Sequence, residues 1–316
     1  MKLELVAENC SRILAELATA IVGKESALRK ILIGVLANSH ILIEDYPGLA
    51  KTIIAKSFAA TVGCSFTRVQ FTPDLLPADI TGTYVYNQKS GEFELRKGPI
   101  FTNILLADEI NRSPPKTQSA LLEAMQEHQT TLEGRTHSLE NPFIVIATQN
   151  PIEFEGVYLL PEAQLDRFIM RLRIGYPDDK SEVEILRRRI ARGNDAFSIK
   201  TVLDVAALTE MQEAIESVHV DDGVLSYITS IVRETRTHSQ VEVGASPRGS
   251  LALLKLARAN AALSGRDYVL PDDVKLICGE ALAHRIIPKA ASWVRGFDPV
   301  SIVEEILGRV PVPKVD

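Results

Sequence analysis

Short apolar runs separated by longer helical patterns recur through the first half of this 316-residue chain, and no other feature constrains its fold as tightly. Ile41-Leu42-Ile43 is the first run, Phe66 to Gln70 the second, Ile104 to Ala107 the third and Phe143 to Thr148 the fourth. Phe168 to Ile174 is a weaker fifth. Strands buried on both faces of a parallel sheet lose the apolar–polar alternation and read as continuous Ile, Val and Leu runs. Helices between such strands make a doubly wound α/β core.

Two segments break this rhythm. Gly82 to Lys97 alternates apolar and polar residues on either side of a turn at Asn87 to Gly91, and Thr130 to Leu139 turns at Glu133-Gly134. Both read as β-hairpins. After Tyr176-Pro177-Asp178-Asp179 helical periodicity takes over: Val183 to Ala191, Val202 to Val218, Gly223 to Thr235, Pro247 to Leu263, Pro271 to His284 and Pro299 to Leu307. Ser246-Pro247 and Asp298-Pro299 supply N-cap and first-turn chemistry. The expected division is an α/β core over 1–178 and a helical domain over 179–316.

Composition narrows the function classes. A net charge of −6 does not suit a chain that coats nucleic acid. The run from Ile31 to Leu36 is far too short to span a bilayer, and Glu4 and Glu8 fall where a signal peptide needs basic and then apolar residues. A cytoplasmic location is expected. Cys10, Cys64 and Cys278 are too far apart for metal-ligand spacing and read as free, mostly buried thiols. His128, His137 and His238 read as surface or loop residues.

The strongest chemical signal follows the first run: Asp45-Tyr46-Pro47-Gly48-Leu49-Ala50-Lys51-Thr52, set between a strand and a helix over Ile53 to Ala60. In a phosphate loop the backbone N–H groups converge on the β-phosphate and the helix N-terminus adds partial positive charge. Lys51 would then reach the β- and γ-phosphates, and the Thr52 hydroxyl would ligate Mg²⁺. Asp45 and Ala50 stand where that pattern has glycines, so a Pro-Gly turn before an unrelated helix is the other reading of this segment alone. Asp45 could repel a polyanion or turn its carboxylate away and cap the loop.

The third run ends in Asp108-Glu109. A carboxylate at a strand end can hold Mg²⁺ through water, here Asp108, and its neighbour Glu109 can polarise the attacking water as general base. The fourth run ends Thr148-Gln149-Asn150-Pro151, which puts an amide beside those acids.

Together with Leu106 to Arg112, Ala147 to Pro151, Glu162 to Phe168 and Ser246-Pro247-Arg248, the segment Pro47 to Thr52 resembles the MoxR family of AAA+ ATPases in order and spacing. The resemblance implies a P-loop AAA+ core: a parallel five-stranded sheet with helices on both faces and two β-hairpin inserts, followed by an all-α lid. It implies ATP/ADP and Mg²⁺ as ligands. Asn150 corresponds to the family's first sensor and Arg167 to its arginine finger, which enters a neighbouring subunit. Arg248 corresponds to the second sensor, reaching from the lid onto the nucleotide's phosphates, and Val22-Gly23 would pack near the adenine. Lys24 follows where glutamine is frequent, which leaves base selectivity open. Family members form homo-oligomeric rings, commonly hexamers, and remodel or mature client protein complexes or insert metal cofactors, often beside von Willebrand factor A domain proteins.

Arg167 has a competing reading as a local ion pair with Asp166. Two other functions also remain at this point. A nucleic-acid translocase or initiator would need more basic charge than Lys89, Arg96 and Lys97 offer in the first hairpin. A nucleotide-gated scaffold without turnover would have no use for Glu109, Asn150 and Arg167.

Overall fold

The computed structural model describes residues 1–151, 157–290 and 298–314. Two helices, α1 (Leu3–Ala20) and α2 (Glu25–Leu36), come first. The core then runs β1 (Ile41–Glu44), α3 (Lys51–Thr61), β2 (Phe66–Gln70), α4 (Pro77–Thr81), β3 (Gly82–Asn87), β4 (Glu92–Lys97), β5 (Ile104–Asp108), α5 (Pro115–Glu127), β6 (Gln129–Leu132), β7 (Arg135–Ser138), β8 (Ile144–Gln149), α6 (Glu162–Leu165) and β9 (Met170–Leu172). Helices α7 (Asp179–Arg192), α8 (Val205–Ile215) and α9 (Asp222–Thr237) lead to β10 (Val241–Val243). Then come α10 (Pro247–Leu263), α11 (Pro271–Leu282), β11 (Ile287–Pro288) and α12 (Pro299–Arg309).

Five strands pair in parallel in the order β2-β5-β8-β1-β9. Side chains alternate across such a sheet, and both faces are apolar. Ile41, Ile43, Leu106 and Ile146 join one cluster with α2 and α3, while Leu42, Leu105, Val145 and Ala147 join the other with α5. Burial on both sides explains the continuous runs in the sequence. The fifth run contributes only Met170–Leu172, because it closes the sheet edge and pairs on one side alone. Phe58, fully buried, anchors α3 in the core; truncation to Ala would cost about 3–5 kcal/mol.

Both hairpins are present. β3 pairs with β4 and β6 with β7, each antiparallel. Tyr84 Oη and His137 Nε2 lie 3.1 Å apart, and the Arg135 guanidinium sits 5.6 Å from the Tyr84 ring centre, so the two inserts touch.

After residue 178 the described chain is mostly helical, with the short β10–β11 pair added. Asp178 caps α7 by accepting the Ser181 N–H, and Ser246 caps α10 by accepting the Arg248 N–H. The strand-run reading leaves the first 36 residues unassigned. They fold because Val6, Cys10, Ile13 and Leu17 form one buried helical stripe on α1. That stripe belongs to a cluster continuous from the sheet into α8, α10 and α11. No helix among the described residues is long and apolar enough to cross a membrane.

The three cysteines are buried, and burial pushes the Cys10 and Cys278 thiols up to about 12 and Cys64 up to about 11. His238 stands in the loop after α9, as read, but is buried there, with Nε2 3.4 Å from Glu305 on α12. His128 is exposed and His137 half-buried.

Candidate functional site

In a parallel sheet every strand ends at the same edge, so the segments after β1, β5 and β8 converge. The Asp45–Ala50 segment runs directly into the N-terminus of α3. Gly48 has φ +82° and Ala50, the α3 N-cap, φ +56°. The first conformation favours glycine; at the second, alanine takes a left-handed conformation that costs roughly 1–2 kcal/mol. The loop thus keeps a glycine-like path without a glycine before Lys51. Lys51 Nζ donates to the Asp45 carbonyl (2.6 Å), which folds the ammonium over the loop.

Asp45 itself is buried, with one carboxylate oxygen turned to the segment after β9 and the other to the start of its own loop. Its Oδ2 accepts the Ile174 (2.7 Å) and Gly175 (2.6 Å) N–H groups, and Oδ1 accepts the Tyr46 N–H (2.9 Å). Of the two readings of Asp45, the geometry supports the cap. Lys24 Nζ donates to the Gly175 carbonyl at 2.7 Å, so Val22-Gly23-Lys24 is tied to the same segment. A Cβ on Gly23 would lie 2.3 Å from Ser181 Oγ, which makes glycine obligatory where this segment meets α7.

At the end of β5, Asp108 is 8% exposed and its Oδ1 accepts the Thr148 hydroxyl at 2.6 Å. That hydroxyl in turn accepts the Glu109 N–H (2.8 Å), so fully buried Thr148 links the two acids. Glu109 has φ +57°. Its Oε2 receives Gln70 Nε2 at 2.6 Å and lies 3.1 Å from Arg112 Nη1. Asn150 is buried just past β8. Thr148, Gln70, Arg112 and Arg68 are contacts that sequence reading missed. Gln70 and Arg68 lie on β2, where only the parallel pairing with β5 reveals that Gln70 stands opposite Asp108.

The donor set suits a magnesium nucleotide. A Thr52 hydroxyl and an Asp108 carboxylate are hard oxygen ligands of the kind Mg²⁺ takes beside substrate phosphates. Open space around Gly48, with no atom within 4 Å of a Cβ placed there, leaves the loop's backbone accessible to a polyanion.

Arg167 and Arg248 lie elsewhere. They line a groove of about 310 Å³ at the amino edge of the sheet, together with His40, Asp166, Lys255 and Arg285. His40 precedes β1 and Asp45 follows it, so groove and loop are separated by roughly 16 Å of extended strand. The expectation that Arg248 reaches phosphates held by its own core is therefore corrected. The cause is lid placement: Ser246 Oγ donates to Asp166 (3.1 Å) and thereby seats the start of α10 beside the beginning of β9. The local Asp166–Arg167 ion pair is also absent. Asp166 pairs with Arg285 (2.6 Å), whereas Arg167 Nη1 donates to the Leu122 carbonyl and its buried Nε has no hydrogen-bond partner.

Comparison with known proteins bears on the family and the fold. The profile described as "ATPase family associated with various cellular activities (AAA)" matches residues 40–170, and the AAA lid domain profile matches residues 233–306. The chain is 47% identical to an uncharacterized protein, YeaC, of Bacillus subtilis, over 92% of this chain and 91% of that one. It is 41% identical to the chaperone MoxR1 of Mycobacterium tuberculosis, over 96% and 82%. A crystal structure of a candidate ATPase from Cytophaga hutchinsonii superimposes with a TM-score of 0.92 at 41% identity, covering 99% of this chain and 97% of that one.

Proposed function

The chain belongs to the MoxR family of AAA+ ATPases, and from that premise we propose that it hydrolyses ATP in a Mg²⁺-dependent reaction coupled to remodelling of a client protein complex. One observation carries the reading: the phosphate-loop lysine, the Asp108-Glu109 pair and Asn150 all follow strands that end on one edge of the sheet.

In this reading the Asp45-Tyr46-Pro47-Gly48-Leu49-Ala50 backbone cradles the phosphates, and Lys51 leaves the Asp45 carbonyl to face the β- and γ-oxygens. Thr52 and Asp108 hold Mg²⁺, which when bound neutralises charge developing on the transferred phosphoryl group. Glu109 orients and deprotonates the attacking water, and Asn150 fixes that water against the γ-phosphate. Val22 and Gly23 pack against the base.

Arg167 and Arg248 stand in one basic groove too far from their own loop to serve it. Both are assigned to a neighbour's nucleotide, which calls for a homo-oligomeric ring, taken here as a hexamer. Client maturation follows from the resemblance and from the relative named a chaperone; metal-cofactor insertion, a von Willebrand factor A partner and cytoplasmic residence belong to the same proposal. The β3–β4 hairpin supplies the exposed Tyr86 and Phe93 rings, 5.3 Å apart, as a surface for that client.

Two variants test the reading. Lys51→Ala should lose ATP binding in titration calorimetry. Glu109→Gln should bind ATP as wild type does and fail to turn it over. Unchanged affinity in the first, or wild-type rates in the second, removes the assignment.

A further inference from the structure

Asp108 already has a cation. Arg68, about half exposed on β2, donates to one carboxylate oxygen, Oδ2, through both Nε (3.0 Å) and Nη2 (2.7 Å). The other oxygen accepts the Thr148 hydroxyl. A carboxylate offers about four lone-pair sites in all. Oδ2 is therefore filled by Arg68, and Oδ1 keeps a single site. A guanidinium and a dication with its bound water cannot both use Oδ2, since both bring positive charge and each needs the same lone pairs.

We propose that Arg68 is a resident counter-ion of the metal-binding acid: it occupies Asp108 in the nucleotide-free protein and is displaced as Mg²⁺ and nucleotide are seated. The proposal rests on the reading above that Asp108 faces the metal. Desolvating a lone carboxylate at a sheet edge is costly, and the ion pair with Arg68 offsets that cost for buried Asp108. A hydrated dication that engages Oδ2 therefore competes with Arg68, only one site being left open on Oδ1.

Arg68 also holds a second side chain at this edge. Arg68 Nη2 also donates to Gln70 Oε1 (2.6 Å), while Gln70 Nε2 donates to Glu109 (2.6 Å). One amide thus bridges the cation on Asp108 to the carboxylate of Glu109. Arg68 is a positioning residue in this scheme, acting through Asp108.

The test is a pair of ADP titrations by calorimetry, one in EDTA and one in excess Mg²⁺, on the intact chain. The readout is the gain in affinity that Mg²⁺ confers. Arg68→Gln should leave the affinity in EDTA within about twofold of wild type and enlarge the Mg²⁺-dependent gain by about fivefold, the scale of a half-exposed ion pair. Arg68→Lys, which keeps the charge and loses the fork, should fall between. An unchanged or smaller gain in Arg68→Gln overturns the proposal, as does weaker binding in EDTA, which would make Arg68 a phosphate contact. Asp108→Asn separates the underlying reading: it should abolish the gain, and a gain that persists there removes the metal assignment whatever Arg68 does.

Discussion

The carboxylate of Asp45 takes the backbone N–H of Gly175 at 2.6 Å, tying the first residue of the phosphate loop to the segment that leaves the edge strand β9. The same oxygen also accepts the Ile174 N–H, so two successive backbone donors hold it. An acid where the loop pattern has glycine is thus a brace for the loop, with its charge directed away from the phosphate path.

Asp45→Ala should leave those two N–H groups unpaired and lower stability by about 1–3 kcal/mol, seen as a Tm lower by several degrees in calorimetry. Nucleotide affinity should fall modestly. A rise in affinity would show that the carboxylate repels phosphate.

Glu109 is held by Gln70 and Arg112. Gln70→Ala should free it and raise basal turnover several-fold at unchanged ATP affinity, whereas Glu109→Gln should lower turnover by about 10²–10⁴. A coupled assay that finds Gln70→Ala slower than wild type would mean that Gln70 positions Glu109 for catalysis.

Arg167 and Arg248 share a groove roughly 16 Å from their own loop, as the length of β1 requires. Arg167→Ala should bind ATP and lose turnover by on the order of 10³–10⁵. Mixed with Lys51→Ala, it should regain part of the activity, because some interfaces then pair an intact loop with an intact arginine. Arg248→Ala should be rescued in the same mixture. Confirmed mixed oligomers without rescue would place both arginines outside catalysis in trans.

His40 should make folding sensitive to mild acid. Burial lowers its pKa to about 4; its Nδ1 accepts the Val145 N–H at 3.0 Å, which leaves the proton on Nε2 to donate to Met125 O at 2.9 Å. The unfolded chain takes up a proton near pH 6.5 and the native one does not until about pH 4. This contribution to stability is therefore present above pH 6.5 and is lost as pH falls towards 4, by about 3 kcal/mol in all. Buried His284, also lowered well below the usual value, acts in the same direction. Urea unfolding of wild type and His40→Phe between pH 7 and 4.5 should show a shallower pH slope in the variant, which is also less stable at neutral pH.

Much of the site is local in sequence. A strand running into Pro47-Gly48-Leu49-Ala50-Lys51-Thr52, and another ending in Asp108-Glu109, carry their chemistry in consecutive residues, so reading along the chain finds them. The hairpins are equally legible, because a turn and its two arms lie within sixteen residues from Gly82 to Lys97. The N-terminal helices escape a search for strand runs, since the α1 stripe repeats at helical spacing and its partners, α8 and α10, come more than 180 residues later.

What the sequence determined by itself is the order of the core strands and the two hairpins, and where the candidate acids, lysine and loop stand along the chain, all set by short-range pattern and backbone preference. Tertiary structure alone decided which side chains meet. Parallel pairing of β2 with β5 delivered Arg68 to Asp108 and Gln70 to Glu109 across some forty residues of chain. The seat of α10 against Asp166 carried Arg248 to the edge opposite its own phosphate loop. Contacts of this kind depend on sheet order and lid placement, which arise from burying two apolar faces at once and leave no periodic mark in the residues that finally touch.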